Sequence, residues 1–211
     1  MGIRIITVSR QFGSGGRELG KRLSDLLSWD YYDREIIQAL ADEQGLDPEY
    51  VRRVVNGHGW NHYQLTYRNS FRQPADDSWR HTEVLVRQRE ILREVAEAGN
   101  HCVIVGRDAD VILHDYRPFR VFVCADLQAR IGRCVRYEEK KEPAERLSEK
   151  EILRNNRRID RNRRRIREIL TGKSSGDGSA FDLTVNASGW EIRNLAQAVA
   201  DVSCRWFGEA E

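Results

Sequence analysis

Short apolar runs alternate with longer helix-spaced segments along this chain, and that alternation limits the available folds more than any other feature. "IRIITV" (3 to 8), "HCVIV" (101 to 105), "FRVFVC" (119 to 124) and "FDLTVN" (181 to 186) read as strands, with "WDYY" (29 to 32) as a weaker one. Helical patterns fall between them, at 17 to 28, 33 to 44, 82 to 98, 126 to 137, about 149 to 170 and 190 to 206. The stripe Val84, Leu85, Ile91, Leu92 and Val95 marks the third of these, and Ile192, Leu195, Val199 and Val202 mark the last as a packing helix. Strands separated by helices of this length predict an α/β fold, a parallel sheet with helices on both faces.

The first strand runs into "RQFGSGGREL" (10 to 19). With a strand ending at Val8 and a helix opening near Arg17, Gly13, Ser14, Gly15 and Gly16 would sit at a helix N-terminus. There the first backbone N–H groups and the helix dipole favour a phosphate, and glycine lets the backbone approach it. The common phosphate loop, G-x-x-x-x-G-K-[ST], carries a lysine where this chain has Gly16. Arg17 follows directly and Lys21 lies one turn on, so either could supply the missing charge, with Glu18 between them. A tight turn without a ligand is the alternative reading of the same residues.

Two further stretches carry chemistry. In "CVIVGRDADVIL" (102 to 113) Arg107 and Asp108 stand at a strand's carboxyl end, the edge where open α/β sheets bind ligands. Eight arginines then fall between 154 and 167. Ile152, Ile159 and Ile166 recur every seven residues as a seam, and at about 100° per residue Asn156, Asp160, Arg163 and Arg167 lie along one flank of it. Arg154, Arg157, Arg161, Arg164 and Arg165 point away and suit a solvated basic face. The inner group is placed to meet a ligand when the helix packs on the core.

Taken in order, "ITVSRQFGSGGRELGKRL", "YYDREII", "VIVGRDADVIL", "FRVFVCAD" and "IDRNRRR…TGK…FDLTVNAS" resemble the cytidylate kinase-like family over nearly the whole chain. The resemblance implies a single P-loop kinase domain over 1–211, with about five parallel strands flanked by helices. Its core would be 1–55, 82–137 and 180–211, with a monophosphate-binding insert at about 56–81 and an arginine-rich lid at about 138–170. It implies ATP and Mg²⁺ as cofactors and a small-molecule nucleotide as substrate. The donor phosphates would lie on Gly13, Ser14, Gly15, Gly16, Arg17, Glu18 and Lys21. Asp33, Arg34, Arg107, Asp108, Asp160 and Arg163 would meet the acceptor, and Arg17, Arg107, Asp108, Arg163 and Arg167 would serve the transfer step. The chain departs from the authentic kinases at Gly16, and at Asn156, where they carry an arginine.

The segment 56 to 81 is rich in aromatics and histidines, among them Trp60, His62, Tyr63, Tyr67 and Trp79. These residues would stack an acceptor base, or else form a satellite core or the interface of a homo-oligomer. The net charge of +2 hides a chain that is 32% charged. That near-neutral balance, without an aromatic sheet signature, tells against nucleic acid as partner. Cys102 and Cys124 sit in apolar runs and read as buried free thiols of a reducing compartment. The sequence has no apolar stretch of the roughly 18 residues a span requires, so the expectation is a cytoplasmic protein with no membrane partner. Three functions stay open: a kinase for CMP or dCMP, a nucleotide-binding protein with little or no turnover, and a kinase for another small metabolite.

Overall fold

A computed structural model describes residues 2–33, 78–106, 108–172 and 178–208, with the side chains of 78–85 and 178 outside that description. The chain runs β1 (Ile5–Arg10), α1 (Gly16–Leu27), β2 (Asp30–Tyr32), α2 (Ser78–Glu97), β3 (Cys102–Val105), α3 (Ala109–Ile112), β4 (Phe119–Cys124), α4 (Leu127–Glu138), α5 (Glu149–Thr171), β5 (Leu183–Asn186) and α6 (Ile192–Trp206). The five strands form one parallel sheet in the order β2-β3-β1-β4-β5. The expected helix at 33 to 44 beyond its first residue, residues 56–77 of the expected insert at about 56–81, Arg34 and Arg107 lie outside the described residues, while 78–81 of that insert open α2.

β1 occupies the centre because Ile5, Ile6, Thr7 and Val8 are buried from both sides. It runs two residues beyond the expected end at Val8. β4 extends past β3 and pairs Ser9 with Phe122 and Arg10 with Val123. Two polar residues thus join a strand because a neighbour supplies the ladder. The chain leaves β1 toward β2 on one side and leaves β4 toward β5 on the other. Such a divergence opens a crevice at the carboxyl ends of the two strands.

The main core packs Leu19 and Leu23 of α1, Ile91, Leu92 and Val95 of α2, and Leu195 and Val199 of α6 against the sheet. Val202 departs from the expected stripe and is exposed, while Ala200 and Ser203 turn inward instead. Cys102 is buried, which pushes its thiol up to about 12, whereas Cys124 lies on the alternate face of β4 and is only partly covered. A second cluster, Phe12, Ile131, Cys134, Ile152 and Ile159, joins the loop after β1 to α4 and α5. Among the described residues no helix is long and apolar enough to cross a membrane.

Gly20 sets how closely α1 lies on the sheet. A Cβ there would stand 2.3 Å from Cγ2 of Val105, a branched side chain held in β3. Gly20→Ala gains about 1 kcal/mol of helix propensity. It meets an overpacking cost of about 1–3 kcal/mol, and at that separation the clash prevails. The variant is expected to unfold at lower urea with an unchanged slope. A midpoint equal to or above wild type would show that α1 can lift off β3 freely.

Candidate active site

The loop from Gln11 to Gly15 fills the crevice and turns β1 into α1. Gly13 (φ 77°) and Gly15 (φ 87°) adopt left-handed backbone that a side chain would strain. Space excludes one as well: a Cβ on Gly13 would lie 2.9 Å from the Arg130 carbonyl, and one on Gly15 would lie 2.6 Å from Ile192. Ile192, expected only to pack, therefore also roofs the loop.

Two sets of bonds hold the loop's entry. The Gln11 amide donates to the Val123 carbonyl at 2.9 Å, and the Gln11 side-chain oxygen accepts from the Ala125 amide at 3.1 Å. The Phe12 amide donates to Asp160 at 2.8 Å, while its carbonyl accepts from Arg130 Nε at 2.6 Å. Arg130 also donates to Asp160 Oδ2 and, at 3.2 Å, to Asn156. Arg130, Asn156 and Asp160 are all buried. They fasten α4 and α5 to the backbone of Phe12. Buried Ser14 donates its hydroxyl to the Gln11 carbonyl at 2.9 Å and so shapes the loop from inside.

Beyond these ties the loop opens into a cavity of about 380 Å³. Gly13, Gly15, Gly16 and Glu18 line it together with Arg10, Arg17, Arg133, Arg136, Lys140 and Arg163, and with Tyr137, Trp190, Glu191 and Ile192. Six cationic side chains thus face two carboxylates. The N–H groups of a helix's first turn have no acceptor within the helix and carry the positive end of its dipole. A site of this make-up at that place fits a polyphosphate.

The expected residues divide between this cavity and the protein's own ion pairs. Gly13, Gly15, Gly16, Arg17, Glu18 and Arg163 line the cavity. Arg163 also donates to the Arg10 carbonyl at 3.0 Å and lies 5.8 Å from the centre of the Phe12 ring. Arg17 donates to Asp33 through Nε at 2.9 Å and again through Nη2. Asp33 is 2% exposed and also accepts from the Tyr31 hydroxyl at 3.2 Å. Burial, and then the Asp33 charge, push that hydroxyl well above its usual pKa, so it remains a donor. Lys21 pairs with Asp25 over the Tyr31 ring and lies outside the cavity lining.

Asp160 and Arg167 face the core as the helical wheel requires, but both meet protein groups. The oxygens of Asp160 accept from the Phe12 amide and from Arg130, and Oδ1 lies 3.6 Å from Nη1 of Arg163. Arg167 grips Asp110 through two bonds, at 3.1 and 2.7 Å, lies 3.7 Å from Asp108, and stacks 4.7 Å from the Phe181 ring. Asp108 itself sits at φ 50° at the start of α3, at the sheet's carboxyl edge.

Sequence reasoning did not single out Arg10, Asp110, Arg130 or the basic face of α4. That face had a signal: Arg130, Arg133 and Arg136 recur every three residues on a helix that follows a strand, and Lys140 stands just past its end.

Comparison with known proteins agrees with this geometry. A family model described as the cytidylate kinase-like family matches residues 5–189. A crystal structure of an uncharacterised protein from Eubacterium ventriosum is similar at 19% identity and a TM-score of 0.68, covering 95% of this chain and 98% of that one. Shikimate kinase from Bacteroides thetaiotaomicron is similar at 16% identity and a TM-score of 0.52, covering 96% and 98%. Shikimate kinase from Acinetobacter baumannii is similar at 14% identity and a TM-score of 0.50, covering 99% and 96%. At such identities these likenesses establish the P-loop kinase fold alone. No curated protein matches the sequence at a significant level.

Proposed function

Because the chain belongs to the cytidylate kinase-like family, we propose that it transfers the γ-phosphoryl group of ATP to a nucleoside monophosphate, CMP or dCMP. Membership carries phosphoryl transfer to a small substrate, with ATP and typically Mg²⁺. The single observation that supports the donor half is the cationic cavity at the Gly13–Gly16 loop. The glycines admit phosphate oxygens to the backbone, and Arg133 of α4 and Arg163 of α5 both line the cavity. Trp190, a half-exposed lining residue, offers a face to the adenine.

Such a transfer needs little covalent help from the protein, so positioning and positive charge carry it. The bond from the γ-phosphorus to the β-bridging oxygen breaks while an acceptor phosphate oxygen bonds the same phosphorus. That oxygen is already anionic at neutral pH and no base is required. Arg163 stabilises charge on the equatorial oxygens. Asp108 and Asp33, with Arg34 and Arg107 beside them in sequence, belong to the acceptor side. Asp33 and Asp110 are both held by arginines. Bound with ATP, Mg²⁺ would neutralise charge on the phosphates, and Asp108 and Asp33 are the carboxylates that would orient its water or the acceptor.

One observation favours a second reading, nucleotide binding without turnover: Arg17 and Arg167 are bound to Asp33 and Asp110, and residue 16 carries no cation. The decisive experiment incubates protein with MgATP and a panel of monophosphates and measures ADP. Turnover with CMP or dCMP, reduced at least about tenfold by Arg163→Ala, is the expected result. A rise in melting temperature with ATP but no ADP from any acceptor would establish the second reading.

A further inference from the structure

The absence of a lysine at position 16 has a structural counterpart six residues earlier. A Cβ built on Gly16 would lie 2.7 Å from Cβ and 3.3 Å from Cγ of Arg10, and 3.2 Å from Cβ of Val123. Residue 16 thus has no room for a side chain, because the stem of Arg10 fills the space where one would begin. The guanidinium continues to a second glycine. A Cβ on Gly106 would stand 1.9 Å from Nη1 and 3.0 Å from Cζ of Arg10. Gly106 lies just past β3, at the carboxyl edge, and holds φ 82°. Two glycines, one in each motif of the sequence, make way for one arginine.

The placement is chemically specific. Arg10 lines the cavity beside Gly13, Gly15 and Gly16. Its guanidinium reaches Gly106, two residues before Asp108, so the charge lies between the donor loop and the acceptor edge. Its own carbonyl accepts from Arg163 at 3.0 Å, which keeps the two cations in one frame. Pairing of Arg10 with Val123 in β4 fixes the backbone from which the side chain starts.

We propose that Arg10 is the relocated cation of this phosphate loop, its guanidinium taking the β- and γ-phosphate oxygens of a nucleoside triphosphate that a lysine at position 16 would otherwise hold. This rests on the reading of the cavity as the donor site. A planar guanidinium binds two oxygens at once where an ammonium acts as a point charge, so the loop grips phosphate in a different geometry.

The test is an exchange of the cation between the two positions. ATP and AMP are titrated by calorimetry against wild type, Arg10→Gln, Arg10→Gly, Gly16→Lys and the double variant Arg10→Gly/Gly16→Lys, which removes the Cβ nearest to residue 16, each checked for a cooperative melt. Arg10→Gln keeps the stem and removes the charge. It is expected to weaken ATP at least tenfold while AMP, which lacks the outer phosphates, changes less than threefold. Gly16→Lys alone is expected to weaken ATP as well, because its Cβ meets Arg10. The double variant should bind ATP at least threefold more tightly than Arg10→Gly. Wild-type ATP affinity in Arg10→Gln, equal losses for ATP and AMP, or no recovery in the double variant would each overturn the proposal. The expected pattern in a protein that never forms ADP would overturn the kinase reading alone. A protein that forms ADP but lacks the pattern would overturn the Arg10 assignment alone.

Discussion

Arg130→Met is expected to cost the protein about 3–5 kcal/mol, the usual penalty for leaving one partner of a buried ion pair without the other. Asp160 would remain buried and still accept from the Phe12 amide, but without the guanidinium that pairs with its other oxygen. The Phe12 carbonyl and the Asn156 side chain would lose their donor in the same step. In urea the midpoint should fall accordingly, and the thermal midpoint by about 2–4 °C for each kcal/mol lost. Adding Asp160→Leu to Arg130→Met should return much of the loss, since removing both charges removes the uncompensated one. A loss below about 1 kcal/mol, the value typical of exposed pairs, would show that water screens this group.

Asp110→Leu should be comparably damaging, again by about 3–5 kcal/mol, because the buried guanidinium of Arg167 would keep only the more distant Asp108. Pairing it with Arg167→Met separates structure from chemistry. The double variant is expected to regain near-wild-type stability, and assays of phosphoryl transfer on it then report Arg167 directly. Full activity would assign Arg167 to anchoring α5. Activity lost from a stable protein would place its charge in the transfer step.

The strands were legible because burial from both sides leaves unbroken apolar runs, as "IITV" and "CVIV" show. The extension of β1 through Ser9 and Arg10 was not, since the ladder there comes from β4, more than a hundred residues away. The helical wheel placed Asn156, Asp160, Arg163 and Arg167 on the inner face, and they lie there. Periodicity gives a direction and no partner, however. Whether an inward arginine meets a phosphate or a carboxylate depends on which acids fold up to the same place, Asp33 for Arg17 and Asp110 for Arg167. The glycines carried a similar ambiguity. Gly16 reads as a loss in the motif and becomes intelligible only with Arg10 lying across it.

The outer face of α5 gives this protein an unusual response to ionic strength. Arg154 and Arg157, Arg157 and Arg161, Arg161 and Arg164, and Arg161 and Arg165 are three or four residues apart on an exposed surface. Like charges at that separation repel by about 0.2–0.5 kcal/mol per pair, and salt screens them with a Debye length of about 8 Å at physiological concentration. The buried pairs on the inner face are screened far less. Dilute buffer is therefore expected to strain the helix that fastens the phosphate loop, and added salt to raise its melting temperature, the reverse of what surface ion pairing ordinarily confers.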